Sequence, residues 1–309
     1  MPTAGISRIH RASNVSDAVP RRIAHAGVDA IGVQSIYRSV LNISTTDGLL
    51  TVASPDGGGL PNGILADLGP DWREIGLSPG MIVSATVTTI RVPDAGLEIQ
   101  FDAAARWSPR LRPSADAADA AATAAARWRR RAGATRAIAR GRASAAGFGA
   151  LLREDAPHDP VGILGVARPI LSELVVALEA GDRTRAAEAA ARLVGLGPGL
   201  TPSGDDVLVG IEAALHALAR PSAGFLALAM GGVEERTTAL AATLLRHAGA
   251  GEFAERLHVL LAALLGSDDE AIPAAIDRAV AWGATSGTDC LLGVLIGLDV
   301  SAGVRGAVA

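Results

Sequence analysis

The hydrophobic pattern of the chain changes part-way along, and this change limits the folds that it can adopt. Between about residues 33 and 101, short runs rich in β-branched residues alternate with turn-forming residues, a pattern typical of strands. After about residue 161, apolar residues recur at helical spacing up to residue 298. The sequence therefore predicts an α+β protein in which a β-rich part, barrel- or sandwich-like, precedes an all-helical part.

Two strand pairs are predicted in the first part, which we expect to be a β-rich domain over residues 1–110. The first pair flanks the turn residues Thr46-Asp-Gly48, and the second pair flanks Pro93-Asp-Ala-Gly96, which is a hairpin signal. Between the pairs, residues 54–63 are rich in glycine and proline. We interpret them as a turn region, with a ligand-binding loop as the alternative.

Alanine and arginine dominate the residues that follow the β-rich part. Because alanine favours helix, residues 115–131 predict one helix that ends near Gly133. Seven arginines lie close together between Arg127 and Arg142. We interpret this cluster as a solvated helix face or domain connection, with a nucleic-acid-binding surface as the alternative. We expect a helical connection over 111–160 and a helical domain over 161–309.

Composition narrows the class of protein and the chemistry available to it. We find no apolar run of the roughly 18 residues that a membrane span needs, and the first ten residues lack a signal-type segment, so we expect a cytoplasmic protein. Cys290 is the only cysteine, and the net charge of −4 argues against non-specific nucleic-acid binding. The chain contains no lysine, which leaves arginine, backbone N–H groups or a metal to neutralise an anionic ligand.

A short motif occurs twice in the helical part. Ser203-Gly-Asp-Asp-Val-Leu-Val-Gly210 and Ser286-Gly-Thr-Asp-Cys-Leu-Leu-Gly293 share Ser-Gly-x-Asp-x-Leu-x-Gly, 83 residues apart. Each copy opens a helical pattern, and each places a glycine two turns inside a helix. Glycine costs about 1 kcal/mol there relative to alanine, a cost explained if two helices cross closely. The sequence therefore predicts two helix starts that lie side by side.

Two interpretations of these starts remain open. Ser-x-x-Asp is the pattern of a capping box, which would make both copies structural. Against capping alone stand three glycines before the first copy, Gly195, Gly197 and Gly199, and the adjacent acids Asp205 and Asp206. A glycine-rich loop brings backbone N–H groups close to an oxyanion, and converging helix starts add partial positive charge.

The second interpretation predicts a site for a small anion at the paired helix starts. We expect Asp205, Asp206 and Asp289 either to hold an amide of the ligand or to bind Mg²⁺, with Asp205 and Asp206 as its possible ligands. Arg236 would supply the positive charge, with surface ion pairing as its alternative role. The expected binding residues are Gly197, Gly199, Thr201, Ser203, Gly204, Thr237, Thr238, Ser286 and Gly287.

These residues resemble a known bacterial family. The similarity rests on Gly-Leu-Gly-Pro-Gly-Leu-Thr-Pro-Ser-Gly-Asp-Asp at 195–206, on Arg236-Thr-Thr238 and on Gly283-Ala-Thr-Ser-Gly-Thr-Asp289, and it touches Ser35-Ile-Tyr-Arg38 and Asn42. The family is a long-standing domain of unknown function, and one branch is linked to oxamate carbamoyltransferase as one of several subunits.

For that branch, the resemblance implies conversion of oxalurate and phosphate to oxamate and carbamoyl phosphate in purine or allantoin breakdown. It implies a small anionic substrate and other enzyme subunits as partners, with no nucleic acid and no membrane. Arg236 and N–H groups would then stabilise the transition state, while Asp206 or Asp289 orients the carbamoyl nitrogen. A non-catalytic subunit that binds a small carboxylate is the alternative.

Overall fold

The computed structural model describes residues 6–26, 32–111, 117–153 and 161–304. The chain forms two compact units, Met1–Pro109 and Arg110–Ala309. The first unit is a curled β-sheet with one helix, and the second is helical in its described parts. The predicted α+β class, with a barrel-like first part and an all-helical second part, is confirmed.

Nine strands make up the sheet of the first unit. Hydrogen bonds order them β2-β3-β4-β5-β1-β8-β7-β6, and β9 also pairs with β1. The strands are β1 (Arg8–Ser16), β2 (Gly32–Ile36), β3 (Val40–Thr45), β4 (Gly48–Ala53), β5 (Gly63–Ala66), β6 (Ser84–Ala85), β7 (Thr89–Val92), β8 (Leu97–Gln100) and β9 (Ala105–Trp107), and the helix is α1 (Ala18–Ala26). A bridge between Gly32 and Ile82 curls the sheet into a half-barrel, whose fully buried core includes Trp72 and Phe101.

The two predicted strand pairs are present, but three further strands, β1, β5 and β9, were missed. β3 pairs antiparallel with β4, and β7 pairs antiparallel with β8. β5 begins at the end of the stretch that we interpreted as a turn region. β1 pairs with β5, β8 and β9, yet its sequence Arg-Ile-His-Arg-Ala-Ser-Asn-Val-Ser is mostly polar. Apolar alternation therefore gives no signal for the strand that holds the sheet together.

The second unit packs its helices around one hydrophobic core. Its helices are α2 (Ala117–Arg140), α3 (Ile163–Glu179), α4 (Arg183–Leu193), α5 (Ser203–Ala217), α6 (Phe225–Ala229), α7 (Val233–Arg236), α8 (Ala239–Gly249), α9 (Glu255–Leu265), α10 (Ala271–Val280) and α11 (Ser286–Ala302), with a 3-10 helix at Phe148–Leu152. None of the helices in the described part of the chain is long and apolar enough to cross a membrane.

The predicted end of the alanine-rich helix was wrong. α2 continues through Gly133 to Arg140, and the expected first residues, 115 and 116, lie outside the described part. Gly133 is exposed with open space around it, so its cost is limited to about 1 kcal/mol of helix propensity. The buried side chains of Trp128 and Ala139 on either side keep the helix against the core.

The arginine cluster on and after α2 makes contacts inside the second unit. Arg127 donates to the carbonyl of Leu265 (2.5 Å), and Arg129 donates to the carbonyl of Ala302 (3.0 Å). Both acceptors lie at the carboxyl ends of helices, where the helix dipole favours a cation. Further members of the cluster with an acceptor or acidic partner are Arg131, Arg136, Arg140 and Arg142. Most of the cluster is therefore accounted for by intramolecular contacts.

Candidate functional site

The two copies of the repeated motif begin parallel helices, α5 and α11, that cross in direct contact. A Cβ atom on Gly210 would overlap the carbonyl oxygen of Cys290, and a Cβ on Gly293 would overlap the carbonyl oxygen of Val207. Any larger residue at either position would force the helices apart. The close crossing that the interior glycines predicted is therefore confirmed, and it brings the two helix starts together.

The glycine of each Ser-Gly pair fixes its helix start against the preceding helix. A Cβ on Gly204 would overlap the carbonyl oxygen of Leu193, at the end of α4. A Cβ on Gly287 would overlap that of Ala279, near the end of α10. The amide of Gly204 donates to the carbonyl of Leu196, and the amide of Gly287 donates to that of Trp282, each at 2.9 Å.

The repeat is therefore larger in the structure than in the sequence. Each half consists of a helix, a loop with a positive-φ glycine, and a helix that carries the motif; the loop glycines are Gly197 (φ 129°) and Gly283 (φ 61°). The helix before each half also fits the repeat. In the first half, α3 packs against the next helix, α4, and against the motif helix of the other half, α11. In the second half, α9 packs in the same way against α10 and α5. An approximate two-fold relation thus joins α3–α5 to α9–α11.

The serines at the helix starts do not form capping boxes. Ser203 and Ser286 are the first residues of their helices, and the cap positions before them make no side-chain capping bond. Instead, Ser286 Oγ lies 2.7 Å from Thr201 Oγ1, which ties the second helix start to the first loop. The two hydroxyls also act across the helix pair, because Ser286 lowers the pKa of Asp206 and Ser203 lowers the pKa of Asp289. The capping interpretation was therefore wrong for both copies.

Asp206 and Asp289 occupy equivalent places and are both buried, at 3% and 0% exposure. Burial raises the pKa of Asp206 well above its ordinary value, and the charge of Asp289 adds to this rise. Burial likewise raises the pKa of Asp289. In each carboxyl group, Oδ2 is buried and has no hydrogen-bond partner among the described residues. Because an unpaired buried oxygen is costly, these two atoms mark a place where a ligand donor would be favourable.

The two carboxyl groups differ in what covers them. Asp289 Oδ1 accepts a hydrogen bond from the amide of Gly149 (2.6 Å), and a Cβ on Gly147 would lie 2.7 Å from both of its oxygens. Asp206 Oδ1 lies 3.9 Å from the thiol of Cys290. The backbone of one segment therefore holds Asp289, whereas a side chain contacts Asp206.

Asp205, beside Asp206, has a different surrounding. Its Oδ1 accepts a bond from the amide of Gly195 (2.9 Å), and its Oδ2 accepts a bond from Thr237 Oγ1 (2.5 Å). Burial raises the pKa of Asp205 to about 6, although the bonds from Thr237 and Gly195 and the charge of Arg236 oppose the rise. Asp205 thus joins the glycine-rich loop to the segment before α8.

That segment contains three of the predicted site residues, Arg236, Thr237 and Thr238. Arg236 donates to the carbonyls of Ala191 (2.9 Å) and Ala229 (2.7 Å), and also to those of the glycines at 231 and 232. Thr238 caps α8 by accepting from the amide of Ala241, and it donates to a loop carbonyl, that of Leu200 (2.5 Å). Thr237 has an extended backbone, which separates α7 from α8.

The glycine-rich loop itself stands at the open end of the helix pair. Gly197 and Gly199 have positive φ angles of 129° and 100°, which favour glycine. Leu200 is 51% exposed. The first-turn amides of α5 are already engaged, since those of Asp205 and Asp206 both donate to the carbonyl of Pro202. The polar character of the site therefore rests on carboxyl and hydroxyl groups.

Metal binding has limited support in the described part of the chain. Those residues contain no group of three or more His, Cys, Asp or Glu side chains placed to hold a metal ion. Both oxygens of Asp205 accept protein hydrogen bonds, whereas Asp206 Oδ2 is buried without a partner in the described residues. Mg²⁺ binding by these two acids stays a prediction.

Comparison with family models identifies the same region. Residues 193–298 match the model described as oxamate carbamoyltransferase subunit AllH, and residues 11–106 match the AllH family N-terminal domain. The chain belongs to the AllH family. No solved structure matches it. The AllH match begins at the last residue of α4 and reaches into α11, so it includes both loops and both helix starts.

Several residues of the site in this AllH-family chain were not predicted from the sequence. The backbone of Gly147 and Gly149 reaches Asp289 from 140 residues away along the chain, and no local pattern indicates this. Arg256 lies near the start of α9, where it looks like an ordinary surface arginine. Trp282 precedes Gly283 as Leu196 precedes Gly197, and this correspondence was the signal that could have found it.

Proposed function

We propose that this chain is the AllH component of an oxamate carbamoyltransferase-like enzyme and binds a small carbamoyl-bearing ligand at the starts of α5 and α11. The observation that carries the proposal is the pair of buried carboxyl groups, Asp206 and Asp289, each with an oxygen that has no partner in the described residues. A carbamoyl group offers two N–H donors and one carbonyl acceptor. The carboxyl oxygens can accept from its N–H groups, and the nearby serine hydroxyls can donate to its carbonyl oxygen.

The expected reaction is the phosphorolysis of oxalurate in purine or allantoin breakdown, in the cytoplasm. A phosphate oxygen attacks the carbamoyl carbon, the bond from that carbon to the inner nitrogen breaks, and this nitrogen takes up a proton. The products are carbamoyl phosphate and oxamate. Asp206, whose pKa is raised by burial, would orient the carbamoyl nitrogen. The hydroxyl groups beside it would stabilise the transition state by donating hydrogen bonds.

The predicted site residues fall into two groups according to their contacts. Asp205, Thr237 and Thr238 would position the glycine-rich loop, because their contacts join it to the segment before α8. Arg236 would act with them as a positioning residue, since its guanidinium donates to main-chain carbonyls. Gly197, Gly199, Thr201, Ser203, Gly204, Ser286 and Gly287 would shape the ligand site.

A non-catalytic, carboxylate-binding subunit is the second candidate. It is favoured by the use of Arg236 in internal contacts, which removes the catalytic cation that we expected from the sequence. The two candidates differ in the readout of activity. A catalytic component forms carbamoyl phosphate when supplied with the other enzyme subunits and loses this activity in Asp206→Asn. A supporting subunit binds the ligand as wild type, but Asp206→Asn leaves the activity of the assembled enzyme unchanged.

Thermal unfolding in the presence of single compounds tests ligand binding directly, because a ligand that binds the native state raises the unfolding temperature. The compounds are phosphate, carbamoyl phosphate, oxamate and oxalurate, each with and without Mg²⁺. We expect a selective rise for at least one of them that is lost in Asp206→Asn. Asp277→Asn, on the exposed surface of α10, is the matched control and should keep it. No rise with any compound would contradict the proposed site.

A further inference from the structure

Arg256 lies beside the second helix start, held there by an aromatic ring. Its guanidinium carbon is 3.7 Å from the centroid of the Trp282 ring. The carbonyl of Trp282 in turn accepts the amide of Gly287 in the first turn of α11 (2.9 Å). The helix that carries Arg256, α9, also packs against α5.

The charge of Arg256 acts on the half of the site that contains Asp206. Burial lowers the pKa of Arg256 to about 10, while attraction to Cys290 and Asp206 opposes the change. The group therefore stays protonated at neutral pH. Burial raises the pKa of its neighbour Asp206, which therefore holds a proton more readily than an ordinary carboxyl group. This leaves positive charge beside a carboxyl group whose Oδ2 has no partner in the described residues.

Stacking makes this arginine suited to a planar anion. A guanidinium stacked against an aromatic ring has fewer positions open to it, and a carboxylate or phosphate can accept from two of its N–H groups at once. The charge of Arg256 acts on both Asp206 and Cys290.

We propose that Arg256, stacked on Trp282, is the specificity-determining residue that recognises the oxyanion end of a ligand whose carbamoyl end lies against Asp206. This inference rests on the proposed function and deepens it. The ligand class is a small molecule that carries a carbamoyl group and, within a few bonds, a carboxylate or phosphate group. Asp206 selects the carbamoyl group, and Arg256 selects the negative charge.

The test compares oxamate with its neutral ethyl ester, two compounds that share a carbamoyl group and differ in charge. Dissociation constants are measured by titration calorimetry on the full chain. We expect the wild type to prefer oxamate by about ten-fold or more, as for a charge-assisted bond in place of a neutral one. In Arg256→Gln this preference should fall to about two-fold or less, with binding of the ester retained. Arg278→Gln, on the exposed face of α10, should keep the preference.

The same titration with inorganic phosphate separates the two sources of the oxyanion. Phosphate binding that is lost in Arg256→Gln assigns Arg256 to the phosphate group, and loss of the oxamate preference alone assigns it to the carboxylate. If Arg256→Gln does not fold, Arg256→Lys keeps the charge without the fork and should reduce the preference by about three-fold or more.

Failure of this inference is distinguishable from failure of the proposed function. If the wild type binds oxamate and Arg256→Gln and Arg256→Lys keep its full preference over the ester, Arg256 does not determine specificity, and Asp206 can still hold the carbamoyl group. If the wild type binds neither compound, nor phosphate, the proposed site and this inference both fall.

Discussion

Gly210 and Gly293 face each other where α5 crosses α11, and each helix occupies the space that a side chain on the other would need. A Cβ on Gly210 would lie 3.0 Å from the Cα of Gly293 and would overlap a main-chain carbonyl oxygen. Both helices are buried almost throughout. The contact therefore has little freedom to adjust, and the distance between the two helix starts depends on it.

The first prediction compares two glycine-to-alanine changes of opposite sign. Gly210→Ala forces the helices apart and should reduce the free energy of unfolding by about 3 kcal/mol or more. Gly133→Ala lies in an exposed helix interior with nothing within 4 Å of the added Cβ, so it should raise that free energy by about 0.5–1 kcal/mol. Urea unfolding measures both. Equal effects would contradict the close crossing.

The second prediction concerns the pH dependence of stability. The pKa of Asp205 in the folded protein is raised to about 6 from 3.8, so the folded state binds the proton more tightly than the unfolded state. Its contribution to stability is then greatest below about pH 4 and is lost as the pH rises to about 6. Asp205→Asn removes the charge, so wild type should lose on the order of 2 kcal/mol relative to the variant between pH 4 and 7.

Urea unfolding of both proteins across this pH range gives the difference directly. Ordinary carboxyl groups titrate in both proteins and cancel. A difference that does not change with pH would show that the Asp205 carboxyl group has an ordinary pKa in the folded protein.

The third prediction concerns a buried ion pair at the other end of α11. Asp299 is fully buried, pairs with Arg136 and accepts a bond from Trp128 Nε1 (2.9 Å). Asp299→Ala leaves the Arg136 charge without this partner and should cost about 3–5 kcal/mol. Asp269→Ala removes a partner of Arg131 whose side chain is 73% exposed, and it should cost less than about 1 kcal/mol. Similar losses would argue against the burial of Asp299.

The fourth prediction uses Cys290 as a reporter of the helix pair. Its thiol is 3% exposed, and burial raises its pKa well above the ordinary value. Reaction needs an exposed thiolate, so a thiol reagent should label the native protein at least about 100-fold more slowly than the urea-unfolded protein. Absorbance of the released chromophore measures the rate. Gly210→Ala should label faster than wild type because it loosens the contact around the sulfur.

The sequence was most informative where glycine carried an energetic cost. The interior glycines 210 and 293 made little sense in an isolated helix, and they correctly indicated a close crossing. The repeated Ser-Gly-x-Asp pattern likewise predicted two neighbouring starts. Of the two roles that it left open for the serines, capping was wrong, because a hydroxyl that acts across to a second helix has the same local sequence as a cap.

Other parts of the site depend on contacts that sequence spacing does not record. Arg256 reaches the site only because α9 packs beside α5, and Gly149 reaches Asp289 across 140 residues. Arg236 has the charge expected of an anion-binding residue, yet it donates to carbonyls near the ends of α4 and α6 and to those of the glycines before α7. Which partner such a residue meets is decided by tertiary packing, and the proposed ligand roles stay predictions until the binding measurements are made.

The burial of α11 has a consequence for how the chain acquires its structure. Every residue from Ser286 to Ala302 is buried, and this is the last helix in the described part of the chain. Chains emerge from the ribosome N-terminus first and fold domain by domain. While residues up to 285 are present without α11, the crossing face of α5 has no partner and its apolar neighbours stay exposed. The helical unit therefore cannot complete its packing before α11 has been synthesised. A nascent chain that still lacks α11 exposes apolar surface and is the form that most needs a chaperone.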